Sequence, residues 1–350
     1  MELFAVHDMS VWQQALLACA IALVILAVVN TVMARQAERR HPPTGLFMEV
    51  DGVRLHYSDR GEGPPVLLIH GNAVTGDDYN TSGVAERLLP NYRVIIFDRP
   101  GFGYSDRPRW RFSTAAAQAD LLHRALAQLD AQRPVLVGHS WGTLVALAFA
   151  TRHPTDVAGL VLLSGYYFPN FRIDALLVSI GAIPLLGDVL RYTISPLFGW
   201  LTMPLTKRLM FAPASMTNRF RAEYSSAMAL RPSQIRATVV DGALMVPSAL
   251  GLRAHYGELS MPVAVIAGDR DLVVSYRHAE RLHATVRNSD LQIISGAGHM
   301  VHHLATPQIV QAIEQVARSS GGGTPQIGSR ELAVSPADAP KSAAAVSASV

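Results

Sequence analysis

A single cysteine, Cys19, stands in the whole chain, so an internal disulfide and a cysteine-based zinc site are both excluded. Charge is also scarce: Asp, Glu, Lys and Arg make up 16% of the 350 residues, while 49% are hydrophobic. The formal charge is +3, but apart from Arg39-Arg40, with Arg35 nearby, the basic residues are scattered. That argues against a nucleic-acid partner. The 13 histidines show no metal-ligand spacing, and no phosphate-binding glycine loop follows the first strand. Neither a metal nor a cofactor is therefore expected.

From Ser10 to Ala34 there is no charged residue, and Ala15 to Val29 is wholly apolar. Twenty-five helical residues reach about 37 Å, enough for one tilted crossing of a hydrocarbon core of about 30 Å. Trp12 stands where an interfacial anchor would, and Arg35, Arg39 and Arg40 follow the run. A cleaved signal peptide fits less well. The first fourteen residues carry Glu2 and Asp8 but no Lys or Arg, and the apolar run is long. The stretch Leu16-Leu17-Ala18-Cys19 has only a faint likeness to a lipoprotein box, because apolar sequence continues past the cysteine. The expectation is an anchoring segment over 1–35 with its span at about 10–34. The basic flank then puts the main domain in the cytoplasm.

A linker, 36–46, leads to a change of pattern. "FMEVDGVRLHY" alternates around Asp51-Gly52, a hairpin signal. Short apolar runs rich in β-branched residues follow at 65–70, 93–98, 134–139, 157–163, 262–268 and 291–295. Such runs suit parallel strands covered on both faces. Helical segments fall between them at 77–89, 114–129, 143–152, 276–285 and 307–318. Strands alternating with helices define an α/β fold with a mostly parallel sheet. The rhythm breaks between Ser164 and Met261, a stretch too long for an ordinary connection. It reads as a helical cap, 165–261, inserted into a core of 47–164 and 262–318. Two cap segments, 175–187 and 192–206, carry no charge but are broken by Pro184, Pro196 and Pro204. They fit packing on the core, or a lipophilic lid that rests on a membrane. The tail from 319 to 350 is rich in Gly, Ser, Ala and Pro and reads as disordered.

Chemistry concentrates in Gly138-His139-Ser140-Trp141-Gly142. The G-x-S-x-G pattern is cheap by composition, but a strand runs into this one and a helix leaves it. At such an elbow the serine oxygen is held above the sheet edge. Gly138 and Gly142 let strand and helix approach, and the N–H of Trp141 points where an oxyanion would form. A serine needs a base, and the base needs an orienting acid. His299, in "SGAGHMVHH" after the last strand, is the candidate base. His302 and His303, one turn later, are alternative bases but read more simply as surface or capping residues. Asp269 and Asp271, in Gly268-Asp269-Arg270-Asp271, are both candidate acids. His70 and Asp98 read as loop-fixing residues, His139 as packing beside the elbow, and Arg99 and Arg107 as ion-pair partners.

In this order the motifs resemble the α/β-hydrolase superfamily over 47–318. They are "HGN" (70–72), "DRPGFGYS" (98–105), "GHSWG" (138–142), "GDRD" (268–271) and "GAGH" (296–299). The resemblance implies Ser140 as nucleophile, His299 as base and Asp271 as acid, with Asp269 the alternative. It also implies an oxyanion hole from the backbone N–H groups of Asn72 and Trp141. "HGN" with an elbow Trp is similar to the haloalkane dehalogenase and epoxide hydrolase branch, whose elbow nucleophile is an aspartate. Serine there would leave an ether with no easy hydrolysis, so the expected chemistry is acyl transfer. Tyr166, Tyr167, Tyr192 and Tyr224 could mimic epoxide-opening tyrosines but read more simply as packing or rim residues. The expected function is hydrolysis of a lipophilic carboxylic ester with a medium or long acyl chain, a small-molecule substrate that the anchor and apolar cap suit. The alternatives are carbon–carbon bond hydrolysis, perhydrolase (haloperoxidase-like) chemistry, an epoxide hydrolase- or dehalogenase-like enzyme, or a non-catalytic binding protein of the same fold.

Overall fold

The computed structural model describes residues 10–109, 113–170 and 173–321. Its first element is α1 (Val11–Arg40), which opens on a capping box. The Ser10 hydroxyl accepts from Gln13 N–H, and the Gln13 carboxamide oxygen accepts from Ser10 N–H at 2.8 Å. The strands are β1 (Leu46–Val50), β2 (Val53–Arg60), β3 (Pro65–Ile69), β4 (Arg93–Phe97), β5 (Val135–His139), β6 (Gly159–Leu163), β7 (Val263–Gly268) and β8 (Ser289–Ile294). Short helices α2 (Asp78–Thr81) and α3 (Val84–Leu88) follow β3, α4 (Ala115–Gln128) follows β4, and α5 (Gly142–Arg152) follows β5.

Between β6 and β7 lie α6 (Ile173–Ser179), α7 (Leu186–Tyr192), α8 (Ile194–Phe211), α9 (Asn218–Glu223), α10 (Ser226–Ala229) and α11 (Pro232–Leu252). The chain closes with α12 (Arg277–Thr285), α13 (Val301–Leu304) and α14 (Thr306–Ser319). The helix therefore continues to Ser319, and the tail expected to be disordered falls outside the described residues from 322 on.

The eight strands form one sheet in the order β1-β2-β4-β3-β5-β6-β7-β8. The hairpin β1–β2 turns at Asp51 and Gly52, both left-handed at φ 51° and 72°, as a primed turn requires. β2 also runs antiparallel to β4, and every later pairing is parallel. Burial explains the continuous apolar runs. Leu67, Ile69, Leu136, Leu160, Leu162 and Val265 join one core. Their chain neighbours Val66, Leu68, Val137, Val161, Leu163 and Ile266 join the other. Alternate residues thus feed opposite faces, and both faces are dry.

This order positions the site. From β3 the chain goes to β4 on one side, while from β5 it goes to β6 on the other. The connections diverge between β3 and β5, and the crevice at their carboxyl ends is the natural ligand position of such a sheet. Two of the expected motifs leave from those ends: His70-Gly71-Asn72 after β3 and Ser140 after β5. The approach of α5 to β3 is so close that a Cβ on Gly142 would stand 2.3 Å from Ile69 O and 2.6 Å from His70 O. A Cβ on Gly138 would stand 2.7 Å from Gly142 O. Gly142→Ala is expected to cost at least about 1–3 kcal/mol, because the obstruction is backbone and cannot rotate away. A wild-type denaturant midpoint for this variant would contradict that packing.

Candidate active site

Ser140 sits at φ 51°, a left-handed conformation that L residues adopt rarely. Backbone bonds on both sides hold it there. Ser140 N–H donates to Leu163 O at 2.8 Å, and Ser140 O accepts from Thr143 N–H at 3.0 Å and the Thr143 hydroxyl at 2.6 Å. Its side chain is half-buried at the sheet edge. Gly71 approaches it so closely that a Cβ there would meet Ser140 Cβ at 3.2 Å.

The structure brings Asp271, not Asp269, to the histidine. His299 Nδ1–H donates to Asp271 Oδ2 at 2.8 Å, with both side chains buried. The other carboxylate oxygen accepts from Val273 N–H at 2.7 Å and Val274 N–H at 2.9 Å. The carboxylate is thereby held by three hydrogen bonds, and its bond to Nδ1 sets the orientation of the imidazole. Asp269 instead accepts from Gly296 N–H at 2.7 Å and shapes the turn that carries His299. The elbow and the histidine loop meet through His139, which donates from Nε2 to His299 O at 3.2 Å. Among the described residues, Ser140 Oγ forms no hydrogen bond, to His299 included. Catalytic contacts of this kind tighten when substrate is bound.

Asn72 and Trp141 flank the serine, and neither backbone N–H is engaged among the described residues. Their side chains point elsewhere. Asn72 Nδ2 donates to Thr238 O at 3.1 Å, and the Trp141 indole N–H donates to Asp241 O at 2.8 Å. Both acceptors belong to α11, so the inserted helices are tied directly to the two loops that frame the serine. Arg99 sets the orientation of the 70–72 loop. Fully buried, it donates to His70 O and Gly71 O, each at 2.9 Å. Because a trans peptide directs C=O and N–H to opposite sides, pinning the Gly71 carbonyl turns the Asn72 N–H away from Arg99.

Arg99 is balanced by Asp241 at 2.6 Å, which also takes Arg107 at 2.8 Å, all three side chains being buried. Arg99 and Arg107 are therefore ion-pair partners, as their setting in the sequence suggested. The acid they share was missed. Its signal was available, since Asp241 is the lone charge between Thr238 and Leu252, in an otherwise apolar helical stretch.

His70 and Asp98 do fix loops. His70 Nδ1–H donates to Gly71 O at 2.8 Å, and its Nε2 accepts from Arg99 N–H at 2.8 Å. Asp98 accepts from His56 at 2.7 Å, Gly76 N–H at 2.9 Å and Tyr104 N–H at 3.1 Å. Gly103, at φ 52°, is compelled by that carboxylate, since a Cβ there would lie 1.9 Å from Asp98 Oδ2. Tyr166 and Tyr167 are buried core residues, and Tyr192 is partly exposed. Tyr224 donates to Ala73 O at 3.1 Å.

One expectation is overturned. His302 and His303 are not surface or capping residues; both are buried. Their Nε2–H groups donate to the two oxygens of Asp78, at 2.7 and 2.8 Å. α13 packs inward against α2, which no local pattern announces. Burial alone would raise the Asp78 pKa, but the charges and hydrogen bonds of His302 and His303 together hold it well below the usual carboxylate range. His302 and the neighbouring His139 are pushed down from 6.5, chiefly by burial. Asp78, His139 and His302 present ligand-type atoms within 4.8 Å of one another, although their spacing in the sequence gives no metal pattern. The short Asp78–histidine bonds account for two of these three groups without an ion.

These buried histidines predict acid lability. Burial, then the Arg99 charge, pushes the His70 pKa down to about 4. The unfolded chain, with imidazoles near 6.5, binds more protons below that pH, so stability is full above about 6.5 and is lost as pH falls toward 4. His70 alone is expected to cost about 2 kcal/mol at pH 5, with His139 and His302 adding in the same direction. Thermal melts from pH 8 to 4.5 check this, and a flat profile between pH 7 and 5 would contradict it.

A cleft of about 420 Å³ opens beside the site, bordered by His41, Ala73, Tyr104, Phe220, Tyr224 and Met228. It reaches the Ala73 loop but is not lined by Ser140 or His299. It lies beside the candidate site rather than containing it.

With this geometry in hand, three comparisons bear on the chain. The family model described as alpha/beta hydrolase fold matches residues 64–306. An uncharacterized protein of Mycobacterium tuberculosis is 32% identical over 283 residues, covering 78% of this chain and 81% of its own. Among solved structures, a thermophilic esterase from Thermogutta terrifontis aligns with TM-score 0.60 at 23% identity, over 79% of this chain and 99% of its own.

Proposed function

The chain belongs to the alpha/beta hydrolase family, and from that premise we propose that it is a serine ester hydrolase acting through Ser140, His299 and Asp271. The observation that carries the reading is the buried His299–Asp271 pair at 2.8 Å behind a serine held at φ 51°. In this mechanism Ser140 Oγ attacks the ester carbonyl while His299 Nε2 takes its proton. The tetrahedral oxyanion is met by the N–H groups of Asn72 and Trp141. His299 returns the proton to the leaving alcohol, then takes one from water, and the acyl-serine is hydrolysed. Asp271 stays ionised and stabilises the imidazolium. No cofactor or metal enters these steps.

In this reading the core comprises 47–164 and 262–318 and the cap 165–261, with α1 as a membrane anchor and the catalytic domain in the cytoplasm. α1 supports the anchor, because it is long and apolar enough to cross a membrane and its most apolar window contains no buried residue. The anchor and the uncharged cap segments favour a lipophilic acyl ester. A fluorophosphonate probe on membranes holding the full chain should label wild type and not Ser140→Ala; an unlabelled, folded wild type would sink the serine mechanism. p-Nitrophenyl esters of increasing chain length, run beside a ring-cleavage diketone and a peracid assay, identify the substrate class. Preferential turnover of the diketone or peracid would replace the ester reading. Extraction by alkaline carbonate would remove the anchor, and a protease-accessible C-terminal tag outside intact cells would reverse the orientation.

A further inference from the structure

We propose that the exposed apolar face of α6–α8 is a bilayer-contacting surface, set at membrane level by α1, through which the site takes lipophilic esters from the lipid phase. The proposal rests on the anchored ester hydrolase reading above and adds a second, independent membrane contact to it.

The first observation is the face itself. On α8, Leu197, Phe198, Leu201 and Leu205 follow the i, i+1, i+4, i+8 spacing of one helical stripe, and all are exposed. Leu201 is 79% exposed, and Leu185, in the turn before α7, is 80% exposed. No Asp, Glu, Lys or Arg occurs between Ile194 and Thr206, so the helix carries no charge along this stretch, and Lys207 and Arg208 follow only at its end. A continuous apolar face of this kind marks an interaction surface, and isolated exposed leucines would not.

The second observation identifies what covers it. α1 is not free of the insert. Its Asn30 carboxamide is buried at the junction of α7 and α8, donating to Tyr192 O at 2.9 Å and Thr193 O at 2.8 Å. About two turns on, Ala37 is buried, and Glu38 pairs with the buried Arg231 at 2.9 Å. On the other side of Asn30, residues 11–29 present Trp12, Leu16, Ile21 and Val24 to the outside. Those nineteen residues rise about 28 Å, which matches the hydrocarbon thickness of a bilayer. Asn30 therefore marks the membrane boundary, and α8 begins at Ile194, next to the carbonyl that Asn30 holds. The charges agree: Arg35, Arg39 and Arg40 follow the boundary on α1, and the exposed Arg208 stands in the last turn of α8, a residue type suited to lipid headgroups. The same insert reaches the reacting centre through Thr238 and Asp241, so an acyl chain leaving the bilayer meets the elements that frame Ser140.

The test uses the full chain in phosphatidylcholine/phosphatidylglycerol vesicles, with Cys19→Ala as background. An environment-sensitive fluorophore is placed at Leu201→Cys, Val24→Cys or Gln311→Cys, three exposed positions. Lipids carrying a quencher on the acyl chain should quench the labels at 201 and 24 but not at 311. Quenching at 24 alone overturns the proposal and leaves the anchor intact; quenching at neither removes both. Cross-linking between copies at 201 without lipid quenching assigns the face to a second copy of the chain and also overturns it. In parallel, the double variant Leu201→Glu/Leu205→Glu should lower kcat/KM on a long-chain ester held in vesicles by at least about tenfold, leaving a soluble acetate ester within about twofold. Equal loss on both esters, or no loss on either, contradicts the proposal. If wild type hydrolyses no ester at all, the ester reading fails, while lipid quenching still decides the surface.

Discussion

Ser140→Ala, His299→Ala and the double variant are each expected to lower kcat toward a hydrolysable ester by roughly a million-fold, with no further loss in the double. The non-additivity is the informative part. Ser140 Oγ is a weak nucleophile without His299 Nε2, and His299 has nothing to activate without Ser140, so either removal disables the same step. Asp271→Ala is expected to cost less, roughly ten-thousand-fold, because its role is to hold the tautomer and stabilise the imidazolium. Stability separates the variants further. Ser140→Ala keeps every backbone bond that pins the elbow, so its melting temperature should match wild type. His299→Ala leaves Asp271 with the N–H groups of Val273 and Val274 but without the imidazole, at a cost of about 1–3 kcal/mol. The measurement is single-turnover hydrolysis beside thermal melts of the same preparations. Losses that multiply in the double variant would mean that the two side chains do not work as one unit.

What the sequence made legible was local. The hairpin at Asp51-Gly52 needs two left-handed residues and has them. The parallel strands were readable because both faces are buried, which leaves unbroken apolar runs. The elbow was readable because glycines are required on both sides of Ser140 by backbone contacts. The misreadings turn on one backbone conformation and on partners distant in the chain. A single helix was expected over 77–89; it divides into α2 and α3 because Gly83 adopts φ 78°, an interruption that a glycine only permits. His302 and His303 look like surface residues until Asp78, more than two hundred positions away, is placed between them. Asp271, which the resemblance favoured over Asp269, is the one that meets His299, while Asp269 takes the Gly296 N–H.

Asp241→Ala is expected to be the most destabilising single change on the inserted helices, at about 3–5 kcal/mol or roughly 10 °C in melting temperature. The carboxylate is fully buried and is the common partner of Arg99 and Arg107. Its removal leaves two buried guanidinium groups uncompensated, which costs more than the attraction that is lost. Asp241→Asn should fall between, since an amide still accepts a hydrogen bond but cannot offset either charge. The consequence for turnover is separable from folding. Arg99 holds His70 O and Gly71 O, so a shift of its guanidinium rotates the peptide that carries the Asn72 N–H. Assayed well below its melting temperature, Asp241→Asn should therefore lose roughly 10- to 100-fold in kcat with little change in KM, because the interaction disturbed is made in the transition state. A normal kcat in a destabilised variant would confine Arg99 to packing. A melting temperature within 2 °C of wild type, about 1 kcal/mol or less, would show that the buried pair contributes little to the fold.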